Sequence, residues 1–170
     1  MSERTFISYR RSDSAPRAKM IADALKQAHG EGTVFMDVES VAMGARWPDR
    51  IRAALAEAER VVVVIGRGWQ YGRRRIDDPD DWVRLEISLA LSDASKRVIP
   101  VLVDDAELPP AEVIPECVSG ITSCQAVVLR HDHWDEDLNR LVSTLGGVNR
   151  ARAAIPPSVL FDPLWDNLSE

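Results

Sequence analysis

The sequence predicts an α/β domain built on an open, five-stranded parallel sheet with helices on both faces. Three observations lead there. Short, nearly continuous runs of β-branched residues recur along the chain, which is how strands covered on both faces read. Amphipathic helical stripes separate those runs, so strands and helices alternate. The chain has 170 residues, the size of one ordinary domain rather than two.

The elements follow in order. Thr5, Phe6, Ile7, Ser8 and Tyr9 form the first apolar run, and Ala18, Ile21, Ala22, Leu25 and Ala28 follow at helical spacing. A weaker strand, Thr33, Val34, Phe35 and Met36, precedes Asp37; Ile51, Ala54, Leu55 and Ala58 mark a second helix. The third strand is the run Val61, Val62, Val63, Val64 and Ile65. A third helix opens after Asp80 and Asp81, both good N-cap types, and its stripe of Leu85, Leu89 and Ser92 is expected to face the sheet. Residues 98–103 give the fourth strand, and residues 111–115 a short helical fragment between prolines. Ala126, Val127, Val128 and Leu129 form the fifth strand; Leu138, Leu141, Val142 and Leu145 form the last helix, closed by Gly146 and Gly147. Right-handed crossovers and this length favour the flavodoxin-like doubly wound strand order 2-1-3-4-5. Ligands on such sheets sit at the carboxyl ends of the strands, so the loops starting at Tyr9, Asp37, Gly66 and Asp104 are the ones to watch. The domain is expected to span residues 1–149. Residues 150–170 leave the pattern: Pro156 and Pro157 break any helix, and Val159, Leu160, Phe161, Leu164 and Trp165 follow. They read as a C-terminal tail packed on its own domain, or as a linker or docking segment for a partner protein or further domain.

Composition excludes several classes. The hydrophobic fraction of 45% rules out wholesale disorder. No apolar run approaches the roughly 20 residues of a membrane span, and the N-terminus lacks a secretory signal, so a cytoplasmic protein with no membrane partner is expected. Twenty-one basic against 27 acidic residues leave a net charge of −6, which argues against direct nucleic-acid binding. Cys117 and Cys124 have no zinc spacing, and three histidines are too few to complete a metal site, so no metal is expected.

The glycines form no nucleotide fingerprint. Tyr9, Arg10, Arg11, Ser12 and Asp13 follow the first strand without a phosphate-wrapping glycine, and Gly66 and Gly68 lack the continuation of a dinucleotide loop. A phosphoryl-accepting acidic pair is also missing, because arginines stand in its place. Arg73, Arg74 and Arg75 face Asp77, Asp78, Asp80 and Asp81 in what reads as a solvated, self-neutralising loop. More informative are Trp82 and Glu86, which four-residue spacing places on one flank of a helix. By spacing alone they read as a core tryptophan beside a surface glutamate.

Four segments taken together resemble a Toll/interleukin-1 receptor (TIR) domain, over about residues 5–145. Phe6, Ile7, Ser8, Tyr9, Arg10 and Arg11 resemble the family's first-strand box. Val34, Phe35, Met36 and Asp37, with Gly44, Ala45, Arg46 and Trp47, resemble the second strand and BB loop. Trp82, Val83, Arg84, Leu85 and Glu86 resemble the WxxxE element of the NAD-cleaving branch, and Val98, Ile99, Pro100, Val101 and Leu102 the fourth-strand box. Details around Asp80, Asp81 and Trp82 look like the bacterial members. The BB loop departs from their commoner form, with Met43 where proline is frequent and Ala45 and Arg46 in place of an acidic pair.

The resemblance implies an NAD+ nucleosidase that cleaves the nicotinamide–ribose bond, giving ADP-ribose or a cyclic ADP-ribose isomer, in bacterial immune defence or signalling. NAD+ is then the substrate and no cofactor is needed. Glu86 takes the catalytic role, and Tyr9, Arg10, Arg11, Asp37, Trp47 and Trp82 line the substrate. Arginine suits a pyrophosphate, and tryptophan suits flat heterocycles. Self-association through the loop of residues 37–47, head to tail, is implied as well. The alternative is a non-catalytic TIR scaffold that acts only by TIR–TIR association; a pure adaptor has no physical need for Trp82 and Glu86 in register.

Overall fold

The protein is described by a computed structural model over residues 3–36, 49–70 and 76–147. Expectations for Asp37, Trp47, the arginines at 73–75 and the segment 150–170 lie outside the described residues. Within them, the strands are β1 (Thr5–Tyr9), β2 (Val34–Met36), β3 (Arg60–Ile65), β4 (Arg97–Val103) and β5 (Val127–Leu129). The helices are α1 (Arg11–His29), α2 (Asp49–Glu57), α3 (Trp82–Ser92), α4 (Glu116–Ser119) and α5 (Trp134–Gly147). All strand pairs are parallel, and the order is β2-β1-β3-β4-β5, as expected.

Alternation along each strand divides the core into two layers. Phe6, Val61, Val63, Ile65 and Leu102 pack against Ile51 and Leu55 of α2, Val83 and Ile87 of α3, and Val118 of α4. Ile7, Val62, Val64, Val101 and Val103 pack on the opposite side against Ala18, Ile21 and Leu25 of α1 and Leu141 and Leu145 of α5. Each fully buried valine, isoleucine or leucine contributes about 1.5–3 kcal/mol, so both faces of the sheet hold it in place. β3 is buried along its whole length, which explains its unbroken apolar run.

Two expectations change. The helical fragment expected at residues 111–115 is a 3-10 turn over Ala111–Val113, and the helix proper, α4, begins only after Pro115. Pro115 lacks the amide that a continuing helix would use, but serves well as the residue just before a new one. In α3 the buried face is Val83, Glu86, Ile87 and Ala90, whereas Leu85 is half-buried and Leu89 is 43% exposed. Val83, Ile87 and Ala90 also recur at helical spacing, and their shorter side chains let the helix lie close to β1 and β4.

The start of α1 shapes the carboxyl edge of the sheet. Ser14 leaves helical geometry (φ −134°, ψ 17°), so Pro16 falls within a fresh first turn, where a missing amide costs little. Upstream, the amides of Asp13 and Ser14 both donate to the Arg10 carbonyl at 2.9 Å, a tight turn that carries the Asp13 side chain over the end of β3. Its carboxylate accepts the amides of Gly66 at 2.8 Å and Gly68 at 2.7 Å. A Cβ on Gly66 would lie 2.6 Å from either carboxylate oxygen, so any other residue there would have to displace the Asp13 carboxylate.

Asp13→Ala should lower stability by about 2 kcal/mol, because it strips a charged acceptor from two loop amides. Asp13→Asn keeps one acceptor oxygen and should lose less. Urea denaturation of the three proteins checks the order; equal midpoints would show that the carboxylate is dispensable to the loop.

Candidate active site

The site is assembled where β1 ends and α3 begins. Asp81 has extended geometry (φ −71°, ψ 121°) and caps α3 by accepting the Arg84 amide at 3.3 Å, as its residue type predicts. Its carboxylate also receives two bonds from Arg10: Nη1 to Oδ1 at 3.0 Å and Nη2 to Oδ2 at 2.8 Å. The Arg10 Nε donates to the Trp69 carbonyl at 2.8 Å. Both charged side chains are almost sealed from water, at 6% and 3% exposure. The solvated-loop expectation therefore does not hold for Asp81. Arg10 was expected to hold a pyrophosphate; its guanidinium instead fastens the exit of β1 to the N-terminus of α3. A planar fork already matched to a carboxylate in a dry setting is costly to redirect toward another anion.

That anchor sets Trp82 and Glu86 one turn apart on α3. Glu86 is not a surface glutamate: it is 7% exposed and lies on the helix face turned to the sheet. Ser8 Oγ donates to its Oε2 at 2.6 Å, so a carboxylate from α3 meets a hydroxyl from the carboxyl-terminal half of β1. Trp82 is half-buried against the core layer on the same side of the sheet. Tyr9 is half-buried against the other layer, and Arg11 is exposed at the first position of α1. The structure thus brings the first-strand box and the Trp82–Glu86 element together beside β1 and β3, where the direction of winding reverses.

A second charged group lies beyond β4. Arg17 bonds Asp104 Oδ1 and His131 Nδ1, each at 2.9 Å, and lies over the Trp134 ring at 4.4 Å. Arg67 bonds the Asp104 carbonyl at 2.7 Å and Asp105 at 3.1 Å. Asp104 and Asp105 both adopt left-handed geometry (φ 53° and 57°), a turn that aspartate tolerates better than most residues. At the opposite edge of the sheet, a cavity of about 140 Å³ is lined by Thr5, Val34, Phe35 and Ala54 among others. Its lining includes no residue of α3, and it is below the several hundred Å³ typical of a ligand pocket. Among the described residues, no cluster of three or more His, Cys, Asp or Glu is disposed to hold a metal ion. No described helix is long and apolar enough to cross a membrane.

Sequence reading missed Ser8, Asp13, Trp69 and Asp81 as parts of this site. Ser8 and Asp81 lay inside motifs already singled out, but nothing local says that either has a partner. A serine in an otherwise apolar strand, and an arginine directly after that strand, are the signals that could have raised the question.

The TIR domain family matches residues 5–142. Among curated proteins, the NAD(+) hydrolase sarm1 of Drosophila melanogaster is 28% identical over 171 residues; the match spans 97% of this chain but only 12% of that protein. Among solved structures, the TIR domains of the activated Roq1 resistosome, which directly recognizes the pathogen effector XopQ, match with a TM-score of 0.62 at 15% identity. That match covers 85% of this chain and 99% of the other, and is a likeness of fold. A metazoan TIR-STING receptor from C. gigas, in complex with 2′,3′-cGAMP, matches at a TM-score of 0.44 and 15% identity, over 81% of this chain and 39% of the other.

Arg10→Ala should cost about 3–5 kcal/mol by leaving Asp81 buried without its partner. The double variant Arg10→Ala with Asp81→Ala should cost clearly less than the sum of the single changes, since the second removes the charge that the first strands. Denaturant titration of all four proteins measures the coupling; additive losses would mean that the pair acts as two independent residues.

Proposed function

The chain belongs to the TIR domain family, and from that premise we propose that it is an NAD+ nucleosidase with Glu86 as its catalytic carboxylate. The observation that carries this reading is a carboxylate on the inward face of α3, held by β1 at the switch point of the sheet. This carboxylate lies between two elements that meet at the carboxyl end of the sheet, where doubly wound folds bind ligands. The sarm1 relative, an NAD(+) hydrolase, supports the same chemistry.

The reaction asks little of the protein. Nicotinamide in NAD+ is a cationic pyridinium, so the C1′–N bond breaks with its electron pair passing to nitrogen, and the base departs neutral. No general acid is required, unlike ordinary glycoside hydrolysis. Positive charge develops on the ribose ring, and a fixed carboxylate stabilises it without reorganisation at the moment of reaction. Water then adds at C1′ and sheds a proton to give ADP-ribose. Attack by a nucleophile of the same molecule gives a cyclic isomer instead. Trp82, one turn before Glu86, supplies a flat surface beside the ribose, and Tyr9 and Arg11 flank the same strand end. Arg10 contributes by holding α3 rather than by touching phosphate. Asp37 and Trp47 complete the substrate contacts in this reading. The cellular role that fits is bacterial immune defence or signalling.

Self-association belongs to the same proposal. One small domain has little surface with which to enclose a dinucleotide. The loop of residues 37–47 carries Gly44 for backbone freedom and Val41, Met43 and Trp47 as apolar contacts. Seated against a different face of the next copy, it makes a head-to-tail contact that propagates.

Glu86→Gln keeps the shape of the side chain and removes its charge. Nicotinamide release, followed by chromatography, should fall about 100- to 1000-fold while the protein stays folded. Release at the wild-type rate would refute the catalytic role of Glu86, whereas an unaltered chain that releases no nicotinamide would leave the scaffold function as the better account. Activity per mole of the unaltered chain should also rise with protein concentration, and Trp47→Ala should blunt that rise. A flat dilution series with appreciable turnover would mean that one chain holds a complete site.

A further inference from the structure

We propose that Ser8 is the positioning residue of the reaction, setting the orientation of the Glu86 carboxylate through the hydroxyl bond between β1 and α3. The inference rests on the nucleosidase reading of Glu86 and adds to it a residue that acts only through that glutamate.

The argument begins with two polar side chains on faces that are otherwise apolar. On β1, Phe6 and Ser8 point to the layer of α2 and α3, and Ser8 pairs in register with Val63. At 1% exposure its hydroxyl is cut off from water, and a buried hydroxyl without a partner is costly. On α3, Glu86 shares the inward face with Val83, Ile87 and Ala90. A carboxylate there is tolerated only with a donor. Each residue accounts for the other. The 2.6 Å separation lies in the range of a hydroxyl bonded to an ionised carboxylate, the stronger class of hydrogen bond.

The bond suits positioning because of where its donor is rooted. Serine has a single side-chain torsion before its oxygen, so the hydroxyl is placed almost entirely by the backbone. That backbone belongs to β1, clamped between β2 and β3 in the middle of the sheet. Glutamate has three torsions and would sample several directions if it were unheld. The Ser8 bond therefore ties the direction of the Glu86 carboxylate to the rigid sheet. A misdirected carboxylate weakens stabilisation of the ribosyl cation, which exists only after the bond has begun to break. The loss should appear in kcat with little change in KM.

Three substitutions separate positioning from packing. Ser8→Ala removes the donor; Ser8→Cys keeps nearly the same shape but offers only a weak donor; Ser8→Thr keeps the hydroxyl. With purified full chain and NAD+, Ser8→Ala and Ser8→Cys should each lower kcat by about ten- to a hundredfold at near-constant KM, while Ser8→Thr retains most of the activity. Thermal melting of each variant accompanies the assay, and Ser8→Cys decides the matter should Ser8→Ala fail to fold. A Ser8→Cys protein with wild-type kcat overturns the proposal, because only packing would then matter. A change confined to KM overturns it as well. An unaltered chain that releases no nicotinamide at any concentration removes both this inference and the nucleosidase reading. An active chain indifferent to all three changes removes only the role of Ser8.

Discussion

Arg10 and Asp81 stand 71 residues apart in sequence and face each other almost sealed from water. Removing two ions from water costs several kcal/mol each, and their attraction in a dry interior returns much of that only when the geometry is good. Here it is good: a two-bond fork joins the pair, the remaining guanidinium nitrogen bonds the Trp69 carbonyl, and the Asp81 carboxylate also serves the Arg84 amide. Two apolar residues of similar size could stabilise the fold as well. They would not fix the angle and register at which α3 leaves the loop, and the positions of Trp82 and Glu86 follow from that register.

The same edge of the sheet shows how internal carboxylates replace a nucleotide-binding loop. In doubly wound folds the amides after a strand often face a phosphate. Here the Gly66 and Gly68 amides face the Asp13 carboxylate. Beyond β4, Asp104 holds Arg17 through its carboxylate and Arg67 through its carbonyl. The Gly66 and Gly68 amides, Arg17 and Arg67 are thus matched within the chain. A dinucleotide bound at this edge would have to be gripped by side chains and by surface from elsewhere, rather than by a glycine-rich cradle. The absence of a phosphate fingerprint from the sequence has its physical counterpart in these pairings.

Ser8 and Glu86 follow the same logic of pairing across elements. An exposed glutamate would be screened by water, and an interior one without donors would resist ionisation. Glu86 lies between a strand and a helix and receives a hydroxyl from the strand. The sheet supplies rigidity and α3 supplies reach.

The sequence by itself determined the architecture. Runs such as Val61 to Val64 are short, β-branched and apolar at every position, which is the pattern of a strand covered on both faces. Their alternation with helical stripes leaves few ways to wind the chain, and the strand order followed. Trp82 and Glu86 were legible as a pair because helical spacing is local. Tertiary structure alone decided which way α3 turns: Leu89 is more hydrophobic than Glu86, yet Leu89 faces solvent and Glu86 faces the sheet. Hydrophobic periodicity ranks faces by transfer cost and is blind to a donor arriving from another element. Ser8 lies 78 residues from Glu86, so neither its hydroxyl nor the partnership of Arg10 with Asp81 leaves a local trace. Those pairings exist because the order β2-β1-β3 sets the end of β1 beside the helix that follows β3.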